Sequence, residues 1–375
     1  MESDEVDLLN TVLPMLAGRV ADEVIATPKR LTLNKKPALT MLKAGDVGAA
    51  GISIADSEEE DPLAGEDTNG NEESEIDSDT KVEKFREQCV SVIQSAFPGA
   101  TPGLWVIGGT EDEQNIAKKT AELLFGNAVT VYIDPLPQNV HGLKAALPGS
   151  ALKAKQRFSA RVEAWRASGL PEAIARHKGH KFVLICASKD VGNKPEDVVN
   201  RRAAIHAICS LAQASVHHVL PIEEANTPAR KKKAIGSYIH RVQSAMMDVM
   251  LAHSGYVIGA SDFVTSQVSD GNSPKFICGV QALRRQAQRY SGESPVCMVI
   301  YSRINLSANV TEVNYAYKAG SKTSLSGWMP LSQGLIWLGC QRTMEGDEDW
   351  LKAEFTAQTT KVLQDIQAQD PRAVV

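Results

Sequence analysis

The residues in this chain whose types and spacing could do chemistry are mostly cations. Lys153, Lys155, Arg157, Arg161 and Arg166 recur along one stretch of helical pattern, KAKQRFSARVEAWRAS. Arg201 and Arg202 stand side by side just after the acidic pair Glu196–Asp197. Arg230, Lys231, Lys232 and Lys233 form an unbroken run, and Arg284, Arg285 and Arg289 make a fourth group. Clustered guanidinium and ammonium groups suit the neutralisation of phosphates. Such contacts give affinity without sequence readout, and that affinity falls with salt. The run at Arg230 opens a predicted helix, where cations oppose the helix dipole. A placement that costs stability points to an external anion. Taken singly, each cluster also reads as a solvated face.

Other chemistry finds less support. Asp248, Asp262 and Asp270 are the carboxylates available to a metal-dependent nuclease, which would need Mg²⁺. A two-metal site requires carboxylates that converge at strand ends, and nothing in this spacing brings them together. His217 and His218 are adjacent on a predicted strand, so they point to opposite faces and read as structural histidines. The glycine pair in WVIGGTEDE precedes a helix and has the shape of a phosphate turn. It lacks GxGxxG and GxxxxGK[ST], and the acidic start of that helix would repel an anion. The sequence contains no HExxH, no GxSxG and no CxxC.

The elements that must position these groups follow from hydrophobic period. Residues 104–108, 128–133, 181–187 and 215–221 read as short buried strands. Helical patterns at 82–97, 111–125, 152–168, 197–212 and 229–253 alternate with them, which argues a doubly wound parallel sheet. From Gly255 the texture changes. A strand-like stretch at 256–258 is followed by strands at 275–283, 295–305 and 310–317, which read as an antiparallel meander. Trp328–Leu338 leads into a helix, and a further helix covers 349–369. The last residues, PRAVV, read as the start of another buried strand, so the second domain is expected to be truncated. The expected domains are an N-terminal helix and irregular segment (1–55), an acidic disordered linker (56–80), an α/β domain (81–253) and a second α/β domain (254–375).

Charge is divided unevenly. Residues 1–80 carry 6 basic against 19 acidic side chains, whereas residues 141–303 carry 23 against 11. Such asymmetry suggests nucleic-acid contact or a self-shielding tail. The acidic stretch around 56–80 has too little apolar surface to order itself. It is expected to be a linker, or a nucleic-acid mimic that occupies the basic face until deletion of residues 56–79 frees it. No apolar run is long enough to span a bilayer, the acidic N-terminus is unlike a signal peptide, and six scattered cysteines favour a reducing cytoplasm.

The order of these motifs resembles a known family. RVEAWR, the strand KFVLICAS, then KPEDVVNRRAAIHAICSLAQASVHHVLP and a long helix resemble the MID-like part of the prokaryotic PIWI family named for its Arg and Glu residues. KFICGVQALRR, SPVCMVIYSRINLSANVTEVNYAY and GWMPLSQGLIWLG resemble that family's RNase H-like part. The similarity covers residues 100–375 and implies an Argonaute-like MID–PIWI module that holds a guide or target. Arg201 or Arg202 matches the family arginine, and Glu312 and Glu196 are the candidates for its glutamate. Where the first RNase H strand carries a catalytic Asp, this chain has Gln281. The next catalytic Asp would lie on the strand beginning near Arg372.

The sequence therefore leaves three readings open. The first is nucleic-acid binding without cleavage, through Lys153, Arg157, Arg161, Arg201, Arg202, Arg230–Lys233, Arg284 and Arg285, with no cofactor. Its partners would be DNA or RNA and, by resemblance, a helicase or nuclease. The second is a metal-dependent RNase H-like nuclease. The third is a small-molecule α/β enzyme, which requires a pocket beyond the carboxyl ends of the parallel strands.

Overall fold

A computed structural model describes residues 72–141, 154–186, 195–257, 274–285, 296–341 and 348–373. In its first unit, strands β1 (Gly103–Ile107), β2 (Thr130–Asp134), β3 (Lys181–Cys186) and β4 (Ser215–Val219) form a parallel sheet in the order β2-β1-β3-β4. The central strands read GLWVI and KFVLIC because both faces of a parallel sheet are covered, so every position must be apolar. β2 lies at the edge, which leaves Tyr132 and Ile133 each 37% exposed.

Helices cover both faces. On one side α1 (Glu72–Ala96), α2 (Glu111–Phe125) and α7 (Pro228–Met246) bury Phe85, Ile93, Leu124 and Tyr238 against Leu104, Val106 and Leu184. The short α3 (Gln138–His141), α4 (Ala154–Ala167), α5 (Leu170–Ala175) and α6 (Pro195–Ala212) lie between them in chain order. On the other face, Phe158, Trp165, Ile174 and Ile208 pack on Trp105, Ile107, Val183 and Ile185. The alternation of residues along β1 and β3 between these two clusters is the period-2 geometry of a strand.

α7 does not run regularly to its predicted end. It widens into a π turn at Met247–Leu251 and tightens into a 3₁₀ turn at Ala252–Ser254 before Gly255, whose φ is +76°. A side chain at Gly255 would also collide with Leu331 at 2.9 Å, so only glycine suits this corner. Here the chain passes to the second unit, where Tyr256 bridges Val310.

The second unit is an antiparallel sheet of β5 (Phe276–Arg285), β6 (Val296–Asn305), β7 (Val310–Ala319) and β8 (Lys322–Leu325), with β9 (Met329–Pro330) pairing beside β7. The predicted meander is thus present, extended by two short strands that carried too little apolar pattern to be read. α8 (Leu331–Cys340) packs on one face against Met298, Val313 and Tyr315. α9 (Glu348–Gln369) packs on the other, through Leu351, Val362 and Ile366, against Cys297, Val299 and Tyr301. α8 approaches so closely that a Cβ on Gly334 would collide with Val313, while one on Gly339 would stand 2.5 Å from the Cys209 sulfur of α6. One helix therefore joins the two units, and its small residues permit both contacts.

Two expectations change. α1 begins at Glu72 rather than Val82, so the acidic segment at 56–80 is helical from its second half onward. Carboxylates in the opening turns of a helix complement its dipole, which the disorder argument ignored. Residues 1–71 lie outside the described residues. The PRAVV segment forms a turn after α9 and not a strand as far as Ala373, because the Asp370 carboxylate bends it back by accepting from the Arg372 amide at 3.1 Å. Among the described residues, no helix is long and apolar enough to cross a membrane.

Candidate nucleic-acid interface

In a parallel sheet with helical crossovers, each helix starts at the edge where the preceding strand ends. The topology therefore sets the starts of α2, α6 and α7 along the carboxyl edge, the usual place for ligands in such sheets. At the turn after β1, Gly108 and Gly109 have φ of +77° and +85°. This turn is not open to a phosphate. Thr110 caps α2, and the Glu113 carboxylate accepts from the Thr110 amide at 2.8 Å and from the Ile222 amide at 2.6 Å. Glu113 is 3% exposed, so the helix start already holds its own anion.

The cations gather at the starts of the later helices. Arg230, Lys231, Lys232 and Lys233 occupy the opening turns of α7 behind the Thr227 cap, and all four are exposed. Arg201 and Arg202 lie in the first half of α6 and are half-buried. Arg157 lies in the first turn of α4. Sequence-distant clusters at 201–202 and 230–233 thus lie on helices that begin at the same carboxyl edge, one on each face of the sheet. The pattern of βα units could have disclosed this, since every helix begins where a strand ends.

Arg161, Arg284 and Arg285 do not join them. Arg161, expected to bind nucleic acid, is 7% exposed, because it falls on the face of α4 that packs into the molecule. Lys153 lies outside the described residues. Arg284 and Arg285 end β5, where they pair with Cys297 and Val296. The opposite end of the same hairpin lies at the junction with the first unit, where the Val257 amide donates to the Asn309 carbonyl at 2.8 Å. At about 3.4 Å per residue, the length of the strand separates Arg285 from that junction by about 30 Å.

His217 and His218 do point to opposite faces of β4. Burial, then the Arg201 charge and then His217 hold the His218 imidazole down at about 3, so it is neutral beside the guanidinium. His217 faces His253, with ring centroids 6.3 Å apart, and His253 Nδ1 is 2.8 Å from the Ser215 hydroxyl. Burial lowers both of these imidazoles as well, against the opposing charge of Asp248 on the π turn. All three histidines have folded-state values below 6.5, so the unfolded chain takes up protons first as pH falls. Stability is expected to be full above about pH 6.5 and to decline below it, with the His218 part lost progressively toward pH 3. Urea denaturation across that range checks this, and His218→Gln should flatten the slope.

Of the carboxylates proposed for metal catalysis, the structure describes Asp248. Asp248 is exposed beside the histidine pair, and Asp262 and Asp270 lie outside the described residues. Gln281 sits exposed on β5 opposite Ile300. Among the described residues, no group of three potential ligands could hold a metal ion. One cavity among the described residues, about 610 Å³, opens at the amino edge of the parallel sheet, opposite to where a doubly wound enzyme would place its site.

Sequence reading missed an ion pair in the second unit. Arg303 Nε donates to Glu312 at 2.7 Å and its terminal nitrogen donates to Gln369 at 2.9 Å. The guanidinium lies between the rings of Phe276 and Trp328, at 4.5 and 4.3 Å. Glu312, one of two candidates for the family glutamate, thus pairs with Arg303 and not with Arg201 or Arg202. The signal was available: a tight turn at LSANV pairs Asn305 with Val310 and therefore Arg303 with Glu312. The side chain of Glu196 falls among those not described.

Two family models match the sequence. One, described as the MID domain of pPIWI_RE, matches residues 105–262. The other, described as the RNaseH domain of pPIWI_RE, matches residues 277–375. No curated protein matches it.

Proposed function

The chain belongs to the pPIWI_RE family, with a MID domain followed by an RNase H-like domain, and on that premise we propose that it binds a guide or target nucleic acid in the manner of an Argonaute, without cutting it. The observation that supports this reading is the exposed run Arg230–Lys233 at the head of α7, which begins at the same carboxyl edge of the MID sheet as α6 with its Arg201. The four cations at the head of α7 are exposed and oppose the helix dipole, an arrangement that a phosphate backbone would compensate. Arg201 adds a further positive charge, beside a His218 that is itself neutral. Binding without cleavage is supported by Gln281, which stands where an RNase H strand would carry its first carboxylate. Cleavage would then fall to a nuclease partner, and unwinding to a helicase partner.

The test is equilibrium binding of single strands and duplexes of DNA and RNA over a range of salt. Affinity is expected to fall linearly with the logarithm of salt concentration, and incubation with Mg²⁺ or Mn²⁺ is expected to leave the strands whole. Salt-independent affinity would reject the interface. Divalent-dependent cleavage lost in Asp262→Ala would restore the nuclease reading.

A further inference from the structure

β2 is an outer strand of the parallel sheet, and among the described residues no strand pairs with its free side. The Thr130 amide donates to the Pro102 carbonyl, and the Asp134 carbonyl accepts from the Gly108 amide. Thr130, Tyr132 and Asp134 therefore turn their backbone groups toward β1. Val131 and Ile133 turn theirs outward, since these groups alternate sides along a strand. The Tyr132 and Ile133 side chains lie on opposite faces of the sheet, and each is 37% exposed, so neither layer of helices overhangs this edge. The strand reads TVYID and pairs with β1 without a bulge. It carries no lysine or proline, the residues that usually keep a free edge from pairing. Pro135, which has no amide to donate, ends the pairable stretch just beyond it.

This edge is its own complement. Two copies of β2 set antiparallel about a two-fold axis at Tyr132 place Val131 of each opposite Ile133 of the other. These are hydrogen-bonded pairs, so every outward amide and carbonyl of the strand finds a partner. Tyr132 then falls opposite Tyr132 as a non-hydrogen-bonded pair, with Cα atoms about 4.5 Å apart. Each ring is already stacked on Trp105, with centroids 4.5 Å apart, so the tyrosine pair continues an ordered aromatic row across the seam. The ends of the strand are complementary in charge. Asp134 closes β2 at the carboxyl edge, and burial raises its carboxyl pKa with no described cation to oppose the shift. At the amino end His177 packs edge-on against Trp105 and Tyr132, with Arg176 and Lys178 exposed on either side of it in sequence. Antiparallel pairing brings the acidic end of one copy to the basic end of the other. An unrelated extended peptide would use the same outward amides but would supply neither the second tyrosine nor the basic end. We propose that β2 is a self-association edge, on which a second copy of this chain pairs antiparallel and doubles the four-stranded sheet into one of eight. The two-fold axis points the carboxyl edges of the two copies to opposite ends of the joined sheet. Each copy keeps its own Arg230–Lys233 surface, so this proposal and the nucleic-acid reading can fail independently.

Sedimentation velocity of the full chain over a concentration series tests the proposal. A dimer should form, and Ile133→Lys should raise its dissociation constant by about tenfold or more by setting two charges into the seam. Ile133→Pro should weaken the dimer as well, because it removes an outward amide and no bond to β1. Both variants should keep the parental circular dichroism spectrum, since the changes fall on an exposed edge. Cross-linking reads the register. Under mild oxidation with diamide, Tyr132→Cys should give a covalent dimer, because the two thiols face each other across the axis. Thr130→Cys, which falls opposite Asp134, should not. The proposal is overturned if the chain is monomeric at about 100 μM, a concentration that populates interfaces of micromolar affinity. It is also overturned if both Ile133 variants associate like the parent, or if Tyr132→Cys cross-links no better than Thr130→Cys.

Discussion

Replacing Arg303 with alanine is expected to destabilise the RNase H-like unit by about 3 kcal/mol or more, the scale on which a buried charge is left without its partner. Arg303 is 8% exposed and holds together parts far apart in sequence. Its side chain ties β6 to Glu312 on β7 and to Gln369 at the end of α9, and fills the gap between Phe276 and Trp328. The neighbouring Asp370, 1% exposed, accepts from the Lys275 amide at 2.6 Å, so the end of α9 is fastened to the start of β5 beside the same guanidinium. Arg303→Lys should recover only part of the loss. An ammonium offers no planar fork to reach Glu312 and Gln369 together and stacks less well between rings. Glu312→Gln should cost less than Arg303→Ala, since an amide still accepts from Arg303. Denaturant unfolding followed by tryptophan fluorescence reads these differences through Trp328. Equal stability of Arg303→Ala and the parent would show that the pair is dispensable.

Alanine at all four of Arg230, Lys231, Lys232 and Lys233 is expected to weaken nucleic-acid binding by about 10²–10³-fold near 0.1 M salt, and to reduce the salt slope by about 3 to 4. The estimate follows from one released counterion per lost phosphate contact. Unfolding cannot imitate this result. Removing cations from the start of α7 relieves an unfavourable interaction with its dipole, and alanine is the best helix former, so the variant should be at least as stable as the parent. Glutamate at the same positions should suit the helix still better and bind worse. A variant that binds weakly but keeps the parental salt slope would show that these residues do not touch phosphates.

Much of the fold was legible in the sequence because period is a local property. GLWVI and KFVLIC are continuous apolar runs and could only be central strands, and the alternation after Gly255 gave the antiparallel strands nearly to the residue. What failed was also local in origin. Composition at 56–80 spoke for disorder, whereas the helix dipole favours the acidic residues from Glu72 onward. β8 and β9 are too short and polar to show any period. In α4, Arg161 could not be sorted from its neighbours, because one charged residue on the buried side of a helix does not disturb an otherwise basic pattern.

The chemistry divides in the same way. By itself the sequence determined the cationic clusters, the absence of an Asp at Gln281, the acidic helix start that excludes phosphate from the glycine turn, and the opposed faces of His217 and His218. Each depends on residue type and on neighbours within a few positions. Only the tertiary structure decided which clusters share an edge. It set the heads of α6 and α7 on one edge, sent Arg284 and Arg285 to the far end of a hairpin, buried Arg161, and paired Arg303 with Glu312 and Gln369. It also built the amino-edge cavity from β3, β4 and α8. The physical reason is that charge and hydrogen-bond energies depend on distance through space, and strand order, helix rotation and the docking of one unit on the other fix those distances without leaving a periodic mark in the chain.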